Sequence, residues 1–452
     1  MKKDGFWVQY VPESHCLCEV KMLRYMIRKE YFGAYVYDYA TKMYLLFDKD
    51  SFDTFVNLRD DFSALSTIDE DIVQILRDEE FIKDNAVNYY IIDNGDYNNV
   101  MSAPMRMHFL YTNRCNLNCI HCFSSELSGT EELCFEDKVK ILDEMNKIGM
   151  CEILIGGGEP FVRSDIFDFI NECNKRKIVV KIFTNGLLFN DSNFEKILNA
   201  DIAYIAVSVD GTSSEEYAQT RGIDGLDIVK NNILKLKNAG CKYPILISTT
   251  INNYNQYNPI GFLKFTEECL ADRLKIRATK PNGNILKDSS VMIDPTHYLA
   301  FLGTIQKEYN EKYAEKFQMD LTWGDFRLYY DIERGTLNVL EADLPYTDYG
   351  CVAGKTAMCI GADGIGTPCG FLPDDMQGGT EENVIKKSIL DVWHNGKSFI
   401  STRSLTGNDK CIECDWYDTC RGGCVARNSY YINDVNGVDP WCIKQFFPLK
   451  ID

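Results

Sequence analysis

The chain has 452 residues, 45% hydrophobic and 25% charged, which is the composition of a folded globular protein with two or three domains. Its formal net charge of -19 disfavours non-specific binding to nucleic acid, because such binding needs lysine and arginine to neutralise phosphates. No apolar stretch is long enough for a membrane span or a secretory signal, so we expect a cytoplasmic protein that binds neither membrane nor nucleic acid.

The first 103 residues predict a small α+β module. Aromatic and β-branched residues from about 30 to 48 indicate two strands around a turn at Ala40–Lys42. Helical patterns begin near Asp50 and near Asp69, and Tyr89–Ile92 indicates another strand. The turn-rich stretch 94–102 ends the module.

From residue 104 to about 290, apolar strands alternate with amphipathic helices, and Gly149 and Gly240 stand where two of the helices should end. Six β-α repeats imply a parallel sheet buried on both faces, with functional residues at the carboxyl ends of the strands. The predicted strands are 107–111, 152–156, 178–184, 203–209, 245–250 and 274–278.

Residues 291–350 are predicted to form a largely helical bridge. Residues 351–452 are rich in cysteine, glycine and aspartate and have little periodicity, which is typical of a region that needs metal to stay folded. With 18 cysteines and no secretory signal, metal or redox chemistry is favoured over a disulfide framework.

A compact cysteine motif follows the first strand of the repeats. Cys115, Cys119 and Cys122 have the spacing CxxxCxxC, and three thiolates this close can hold one cubane cluster while leaving its fourth iron without a protein ligand. A partial zinc site is the alternative, although structural zinc usually takes four protein ligands.

Polar groups follow the next three strands as well. The second strand ends in Gly156-Gly157-Gly158-Glu159-Pro160, whose glycines let the backbone approach a ligand and whose carboxylate can accept hydrogen bonds from an ammonium group. The third strand ends in Thr184-Asn185-Gly186. The fourth ends in Ser208-Val209-Asp210-Gly211, and Arg221 follows after a short loop.

These motifs resemble those of the radical S-adenosylmethionine (SAM) superfamily over residues 105–285: CxxxCxxC matches its cluster motif and GGGEP its glycine-glycine-glutamate motif. The resemblance implies a partial (β/α)6 barrel, a 4Fe-4S cluster whose open iron chelates SAM, and a 5′-deoxyadenosyl radical that abstracts hydrogen from the substrate. It also implies that Gly157, Gly158 and Glu159 hold the methionyl ammonium group. Ser208 and Arg221 would contact the ribose or carboxylate, and Asn185 would be either a further contact or a turn residue.

A second set of cysteines lies near the C-terminus. Seven of them resemble the SPASM domain, the twin-cluster extension of radical enzymes that modify peptides and proteins. The resemblance implies an outer 4Fe-4S cluster held by Cys411, Cys414, Cys420 and Cys442. It implies an inner cluster held by Cys351, Cys369 and Cys424.

Cys359 lies on a predicted strand just before Asp363 and Gly364, which indicate a tight turn. It either completes the inner cluster or is a buried free thiol; without it, that cluster has an iron open to a substrate cysteine. The other cysteines are interpreted mostly as small core residues, with Cys16 and Cys18 the least certain. They are Cys16, Cys18, Cys134, Cys151, Cys173, Cys241 and Cys269.

The N-terminal module resembles the winged-helix-like unit with which peptide maturases recognise the leader of a precursor peptide as an added strand. A purely structural cap is the alternative. The sequence thus predicts an enzyme with a leader-recognition module (1–103), a radical SAM core (104–290), a bridge (291–350) and a SPASM domain (351–452). It would take electrons from a flavodoxin- or ferredoxin-type donor and cross-link a ribosomally made peptide through a thioether or carbon–carbon bond. The thioether is favoured slightly, on the premise of an open inner iron.

Three rivals stand beside this prediction. A sulfatase-type formylglycine maturase typically has an aspartate after the second inner-cluster cysteine, where this chain has Gly370 after Cys369. A quinone-cofactor or small-molecule enzyme would need another purpose for the N-terminal module. An electron-transfer scaffold would leave the motifs after the strands unexplained. No general base can be singled out among 67 carboxylates, and His121 is expected to be a loop residue more than a group that tunes the cluster.

Overall fold

The structure is a computed structural model that describes residues 23–124, 131–321, 328–331, 336–339 and 350–442, with backbone alone for 328–331 and 336–339. Cys16 and Cys18 lie outside the described residues. No described helix is both long enough and apolar enough to cross a lipid bilayer.

The N-terminal module is α+β, as predicted, and its sheet has the strand order β3-β2-β1-β6. Strand β1 pairs antiparallel with β2 and parallel with β6. Asp48 and Asp69 begin the two helices, and each carboxylate accepts a hydrogen bond from a backbone N–H in the first turn. The elements are β1 (Tyr25–Glu30), β2 (Gly33–Asp38), β3 (Met43–Asp48), α1 (Lys49–Asp60), α2 (Glu70–Asp78), β4 (Ile82–Lys83), β5 (Ala86–Val87) and β6 (Tyr89–Ile92).

All six strands predicted for the repeats are present, within one or two residues of the predicted bounds. They lie side by side in chain order as a parallel sheet. Gly149 and Gly240 follow helices with φ of +72° and +78°, the left-handed conformation that ends a helix. The elements are β7 (Arg106–Thr112), α3 (Phe135–Lys147), β8 (Glu152–Gly157), α4 (Ile166–Lys175), β9 (Val179–Thr184), α5 (Phe194–Leu198), β10 (Tyr204–Ser208), α6 (Ser214–Arg221), α7 (Leu226–Asn238), β11 (Ile245–Ile251), α8 (Pro259–Glu268), β12 (Arg273–Ala278) and α9 (Asn284–Lys287).

The sheet extends beyond the six predicted strands at both edges, and its full order is β13-β12-β11-β10-β9-β8-β7-β16-β17. The bridge predicted as helical supplies α10 but also the edge strand β13, whose alternation QMDL is too short to be recognised. The remaining elements are α10 (Pro295–Lys312), β13 (Gln318–Leu321), β14 (Leu328–Asp331), β15 (Thr336–Val339), β16 (Ala357–Ile360), β17 (Gly366–Thr367), α11 (Ile389–Asn395), α12 (Lys397–Arg403), α13 (Asp409–Ile412), α14 (Tyr417–Cys420) and α15 (Val425–Ile432).

The two faces of this sheet differ in chemistry. Residues on one face, such as Ile153, Val180, Ile205 and Leu274, are almost fully buried and form one core with the surrounding helices. The alternate residues point to the other, inner face. This face carries charged residues: in β12, for example, a half-buried arginine or lysine precedes each buried residue.

One buried arginine joins the N-terminal module to the barrel. The Arg28 guanidinium pairs with Glu30 at 2.7 Å and donates to the carbonyls of Ala103, Pro104 and Gly149 at 2.8–3.0 Å. Both members of the ion pair are buried, so this strand carries charges inside the protein. Those charges explain why β1 is missed by a search for alternating apolar residues.

Substituting Arg28→Met is expected to destabilise the chain by roughly 3–5 kcal/mol, because Glu30 would remain buried without its partner and three carbonyls would lose their donor. Urea unfolding followed by circular dichroism measures this as a lowered midpoint. Arg59→Met is the matched control, since the Arg59–Asp60 pair is exposed. Equal midpoints for the two variants would contradict this role of Arg28.

Candidate functional site

The loop after β7 brings three thiols together at the carboxyl edge of the sheet. Desolvation in this loop, together with the nearby charges of Glu159, Cys119 and Cys122, raises the pKa of Cys115 to about 11, although part of its surface stays open to solvent. Burial also raises the pKa of Cys119. The structure therefore places Cys115, Cys119 and Cys122 next to one another, as CxxxCxxC predicts.

The Glu159 carboxylate fixes the glycine-rich loop against the neighbouring strand. It is 1% exposed and accepts hydrogen bonds from the Thr184 hydroxyl at 2.8 Å, the Asn185 N–H at 2.7 Å and the Phe161 N–H at 3.1 Å. Burial raises its pKa to about 7. Three of about four acceptor positions of this carboxylate are thus occupied by the protein itself.

The same loop is fastened to the cysteine loop through its backbone. The N–H groups of Gly158 and Glu159 donate to the carbonyls of Thr112 and Arg114 at 2.7 and 2.8 Å. A Cβ atom at Gly158 would lie 2.1 Å from the Arg114 oxygen, and one at Gly157 would lie 2.4 Å from the Thr112 oxygen. Only glycine permits so close an approach of the two loops.

Asn185 has the turn role that the sequence left open, and it also contacts the thiol loop. Its side-chain oxygen accepts a hydrogen bond from the Leu187 N–H at 3.0 Å, which is a turn contact. Its amide nitrogen donates to the Asn116 side chain at 2.8 Å, inside the cysteine motif. Asn185 therefore joins the third strand end to the thiol loop.

A buried carboxylate links the fourth strand end to the thiols, and the sequence did not predict this connection. Asp210 is fully buried and forms ion pairs with Arg221 and with His121 Nε2, the latter at 3.0 Å. Burial would raise the pKa of Asp210, but the charges of Arg221 and His121 outweigh it and hold the pKa below its usual range. Arg221 in turn donates to Cys119 Sγ at 3.7 Å. His121 thus has a specific partner, where the sequence favoured a plain loop role.

Ser208 lies at the end of β10 in register with Ser248 of β11. The Ser248 hydroxyl accepts a hydrogen bond from Arg277 at 2.7 Å. Both serines belong to the inner face of the sheet, beside the carboxyl edge that carries the thiols.

The cysteines near the C-terminus form two separate groups of neighbours. In the first, burial together with the charges of Cys424 and Cys369 raises the pKa of Cys351 to about 12. Burial raises the pKa of Cys359 too, and Cys369 is the next largest influence on it. Cys369 therefore lies beside both Cys351 and Cys359.

In the second group, burial and the charges of Cys442, Asp439 and Cys411 raise the pKa of Cys420 to about 12. Burial and the charge of Cys414 raise the pKa of Cys411, so Cys414 is a neighbour of Cys411. In the described parts of the chain, no three Cys, His, Asp or Glu side chains converge on one metal-ion position. The two groups are therefore defined only by thiols that lie near one another.

Asp439 lies between the two groups. Its carboxylate accepts hydrogen bonds from the Cys424 N–H at 2.8 Å and the Trp441 N–H at 2.9 Å, and it forms a buried ion pair with Arg427 at 2.6 Å. The chain turns at Gly423 with φ of +91°, and a Cβ there would lie 2.3 Å from Asp439. This network fixes a cysteine of the first group relative to those of the second.

Of the cysteines interpreted as core residues, Cys151, Cys173 and Cys269 are buried and Cys241 is half-buried. Cys134 is exposed at the start of α3, so the prediction is wrong for that residue. Asp363 makes the predicted turn, since its carboxylate accepts a hydrogen bond from the Ile365 N–H at 3.0 Å and Gly364 has φ of +84°.

Comparison with known proteins identifies the central part of the chain. Residues 109–270 match the family model described as the radical SAM superfamily. The AdoMet-dependent heme synthase of Methanosarcina barkeri is 26% identical over 356 residues, which cover 76% of this chain and 97% of that protein. The mycofactocin maturase MftC of Mycolicibacterium smegmatis is 27% identical over 350 residues, which cover 76% of this chain and 84% of that protein.

Among solved structures, Streptococcus suis SuiB bound to the precursor peptide SuiA has a TM-score of 0.72 at 20% identity, covering 93% of this chain and 98% of SuiB. The two proteins therefore share a fold that extends beyond the barrel. This likeness agrees with the α/β fold class predicted from the sequence.

Substituting Glu159→Gln is expected to weaken the loop by about 1–3 kcal/mol, because an amide nitrogen would face a hydrogen-bond donor where a carboxylate oxygen now accepts. Hydrogen exchange measured by mass spectrometry should show faster exchange in 156–162 and 184–187. Glu195→Gln, at an exposed site, is the control. If exchange in these segments stays at the wild-type rate, the carboxylate does not hold the loop.

Proposed function

The chain is a radical SAM superfamily enzyme, and we propose that it matures a ribosomally made precursor peptide by installing an intramolecular cross-link. The observation that carries the proposal is the combination of thiols and polar groups at the carboxyl edge of the sheet with a separate α+β module fixed to the same barrel.

Cys115, Cys119 and Cys122 would hold a 4Fe-4S cluster. The donor set fits, because it contains three adjacent thiols while the nearby imidazole is directed elsewhere: His121 Nε2 pairs with Asp210. That pairing disfavours the zinc alternative, which would need a fourth protein ligand. Three thiolates leave one iron for another ligand.

The residues around this loop also fit SAM. Gly157 and Gly158 bring backbone close to the thiols without a Cβ atom. Ser208 lies at the end of β10, and Arg221 lies at the end of α6, paired with Asp210. We propose that the backbone of the glycine loop receives the methionyl ammonium group, while the Glu159 carboxylate positions that loop. Bound together, the cluster and SAM would supply radical chemistry able to remove a hydrogen atom from the substrate.

The chain's own polar residues hold this arrangement in place. Arg221 lies beside the Cys119 sulfur, where its positive charge favours the thiolate form that ligates iron. Asp210 fixes the guanidinium from the opposite side and also holds His121. We propose Asp210 as a positioning residue for the cluster loop.

We propose two auxiliary 4Fe-4S clusters. The inner one would use Cys351, Cys359, Cys369 and Cys424, because each of these thiols has another as a neighbour. The outer one would use Cys411, Cys414, Cys420 and Cys442. An external donor of the flavodoxin or ferredoxin type would supply electrons to the protein.

The N-terminal module would bind the leader of the precursor. Strand β3 is at one edge of its sheet, and within the described residues β2 is its sole strand partner. An extended peptide can pair with such an edge. Because Arg28 fixes the module to the barrel, a leader bound there would tether the rest of the peptide to the enzyme.

The type of cross-link depends on the inner thiols. An inner cluster with an iron open to a substrate cysteine would slightly favour a thioether. If Cys359 is the fourth ligand, no inner iron is open to a substrate cysteine. We therefore propose a cross-link without specifying its bond type, which analysis of the product determines. The alternative of a formylglycine maturase is disfavoured because Gly370, and not an aspartate, follows Cys369. Gly370 lies next to the Cys359 sulfur.

Incubating the anaerobically reconstituted enzyme with SAM, reductant and the short peptide encoded beside its gene is expected to remove two hydrogens from the core of that peptide. Mass spectrometry measures the change, and fragmentation with thiol alkylation distinguishes a thioether from a carbon–carbon bond. The loss should disappear without the leader and in Cys115→Ala. An unchanged peptide, with 5′-deoxyadenosine still formed, would refute the proposed substrate while leaving the radical chemistry intact.

Replacing Cys359 by Ala is expected to lower the iron content per chain or to change the spectrum of the reconstituted clusters, because the inner site would lose one of four thiols. Cys173→Ala is the matched control, since Cys173 is buried in a helix outside both groups. If iron content and spectra equal those of the control, Cys359 is not a ligand.

A further inference from the structure

Two aromatic rings connect the cysteine loop of the barrel with the C-terminal region. Phe123 directly follows Cys122, and Phe371 belongs to the C-terminal region. Their ring centroids are 5.2 Å apart and the ring planes are inclined at 39°. A Cβ atom at Gly370 would lie 3.7 Å from the Phe123 ring and 3.7 Å from the Cys359 sulfur. The pair therefore lies between the thiols of the cysteine loop and those of the first C-terminal group.

The C-terminal region fixes the backbone from which Phe371 projects. The next residue, Leu372, is 3% exposed and packs in an apolar cluster with Met376 and Val425. The Leu372 carbonyl also accepts a hydrogen bond from the Gln377 side-chain amide at 2.6 Å. Both contacts lie within the C-terminal region, so this region sets the place of the Phe371 ring.

The backbone at Phe123 is enclosed by the segment that follows β12. The Asn284 N–H donates to the Cys122 carbonyl at 2.9 Å. Gly283 has φ of +59°, and a Cβ atom there would lie 2.1 Å from the Cys122 oxygen and 2.8 Å from the Phe123 Cα atom. Only glycine permits this approach. The segment after β12 thus contacts the backbone of Phe123, while Phe371 contacts its ring.

The same segment is joined to the C-terminal region as well. The Asn282 side chain donates to the Gly370 carbonyl at 2.9 Å, and Lys280 Nζ lies 4.9 Å from the Phe371 ring centroid. The Asn284 side chain donates to the Cys119 carbonyl at 2.8 Å. Three segments therefore meet here: the cysteine loop, residues 280–284 and residues 369–371.

A displacement of Phe123 would affect two parts of the proposed SAM site. On one side of it in the chain is Cys122, a proposed iron ligand. On the other side is the buried Ser124, whose hydroxyl donates to the Gly157 carbonyl at 3.2 Å. Gly157 belongs to the loop that we propose receives the methionyl ammonium group. The place of Phe123 is thus linked to the thiols and to the glycine loop together.

We infer that Phe371 is a positioning residue for the SAM site: its ring holds Phe123 and, through Phe123, the cysteine and glycine loops in the geometry that binds SAM. The C-terminal region thereby completes the cosubstrate site of the barrel. This inference rests on the proposed assignment of the SAM site, and it does not depend on the identity of the peptide. An aromatic pair of this kind is worth roughly a factor of two to ten in an equilibrium constant.

The test is the dissociation constant of SAM, measured by equilibrium dialysis of radiolabelled SAM against the anaerobically reconstituted full-length protein with its clusters oxidised. Phe371→Leu should weaken SAM binding roughly two- to tenfold, because the ring contact is lost while an apolar side chain remains. Phe371→Tyr keeps the ring and should restore most of the affinity. Phe317→Leu is the matched control, since Phe317 is buried just before β13 and its ring lies 5.8 Å from those of Tyr309 and Tyr313. Variants are compared at equal iron content.

Two further measurements separate positioning from a general loss of stability. Hydrogen exchange in the iron-free protein should be faster in residues 117–124 for Phe371→Leu than for Phe317→Leu. The double variant Phe123→Leu with Phe371→Leu should bind SAM no more weakly than the weaker of the two single variants, because both remove the same contact. If Phe371→Leu does not fold, Phe123→Leu tests the contact from the other side.

Equal SAM affinity in Phe371→Leu and Phe317→Leu, with equal exchange in residues 117–124, would overturn the inference. Losses of affinity that multiply in the double variant would overturn transmission through Phe123. A wild-type protein that binds no SAM would overturn the assignment of the site and this inference with it.

These outcomes are separable from that of the proposed function, because dialysis and hydrogen exchange use no peptide. If the encoded precursor is cross-linked but Phe371→Leu binds SAM as the control does, the maturase stands and the role of Phe371 fails. If Phe371→Leu weakens SAM binding while the wild-type enzyme leaves the precursor unmodified, the role of Phe371 stands and the proposed substrate fails.

Discussion

The buried carboxylate of Glu159 is the contact on which the geometry of the site depends. It joins the ends of β8 and β9, and the backbone next to it is hydrogen-bonded to the cysteine loop after β7. A carboxylate buried so fully is stable only when donors surround it, and here two backbone N–H groups and one hydroxyl do so. Asp210 does the same for the next strand end, where it holds Arg221 against Cys119. Two buried carboxyl groups thus orient the residues that face the proposed cluster and cosubstrate.

The C-terminal region is joined to the barrel in a way that its irregular sequence conceals. Strand β16 pairs in parallel with β7, which places Cys359 in register with His108 on the inner face. Asn282 and Asn284 connect the same region to the cysteine loop from the other side. The barrel sheet itself therefore holds the region of the proposed auxiliary clusters beside the inner face of the sheet. In that arrangement the N-terminal module, fixed by Arg28, lies near the amino end of the strands.

The sequence predicted the elements whose signal is local. Strands β7 to β12 carry apolar residues at alternate positions, so periodicity found them. The motif residues were found because thiols, glycines and strand ends coincide. Contacts between distant segments could not be found in this way: the Asp210–His121 ion pair joins residues 89 positions apart, and Arg28 reaches Gly149 across 121 positions. Strand β1 was missed because its charged residues are buried.

The central claim is that a radical generated at the barrel removes hydrogen from a peptide. The most direct measurement uses a precursor peptide produced in deuterated medium, so that its non-exchangeable positions carry deuterium, and analyses the 5′-deoxyadenosine formed by the enzyme with unlabelled SAM. Our account predicts 5′-deoxyadenosine that contains one deuterium atom. Formation of wholly unlabelled 5′-deoxyadenosine while the peptide is being modified would contradict it.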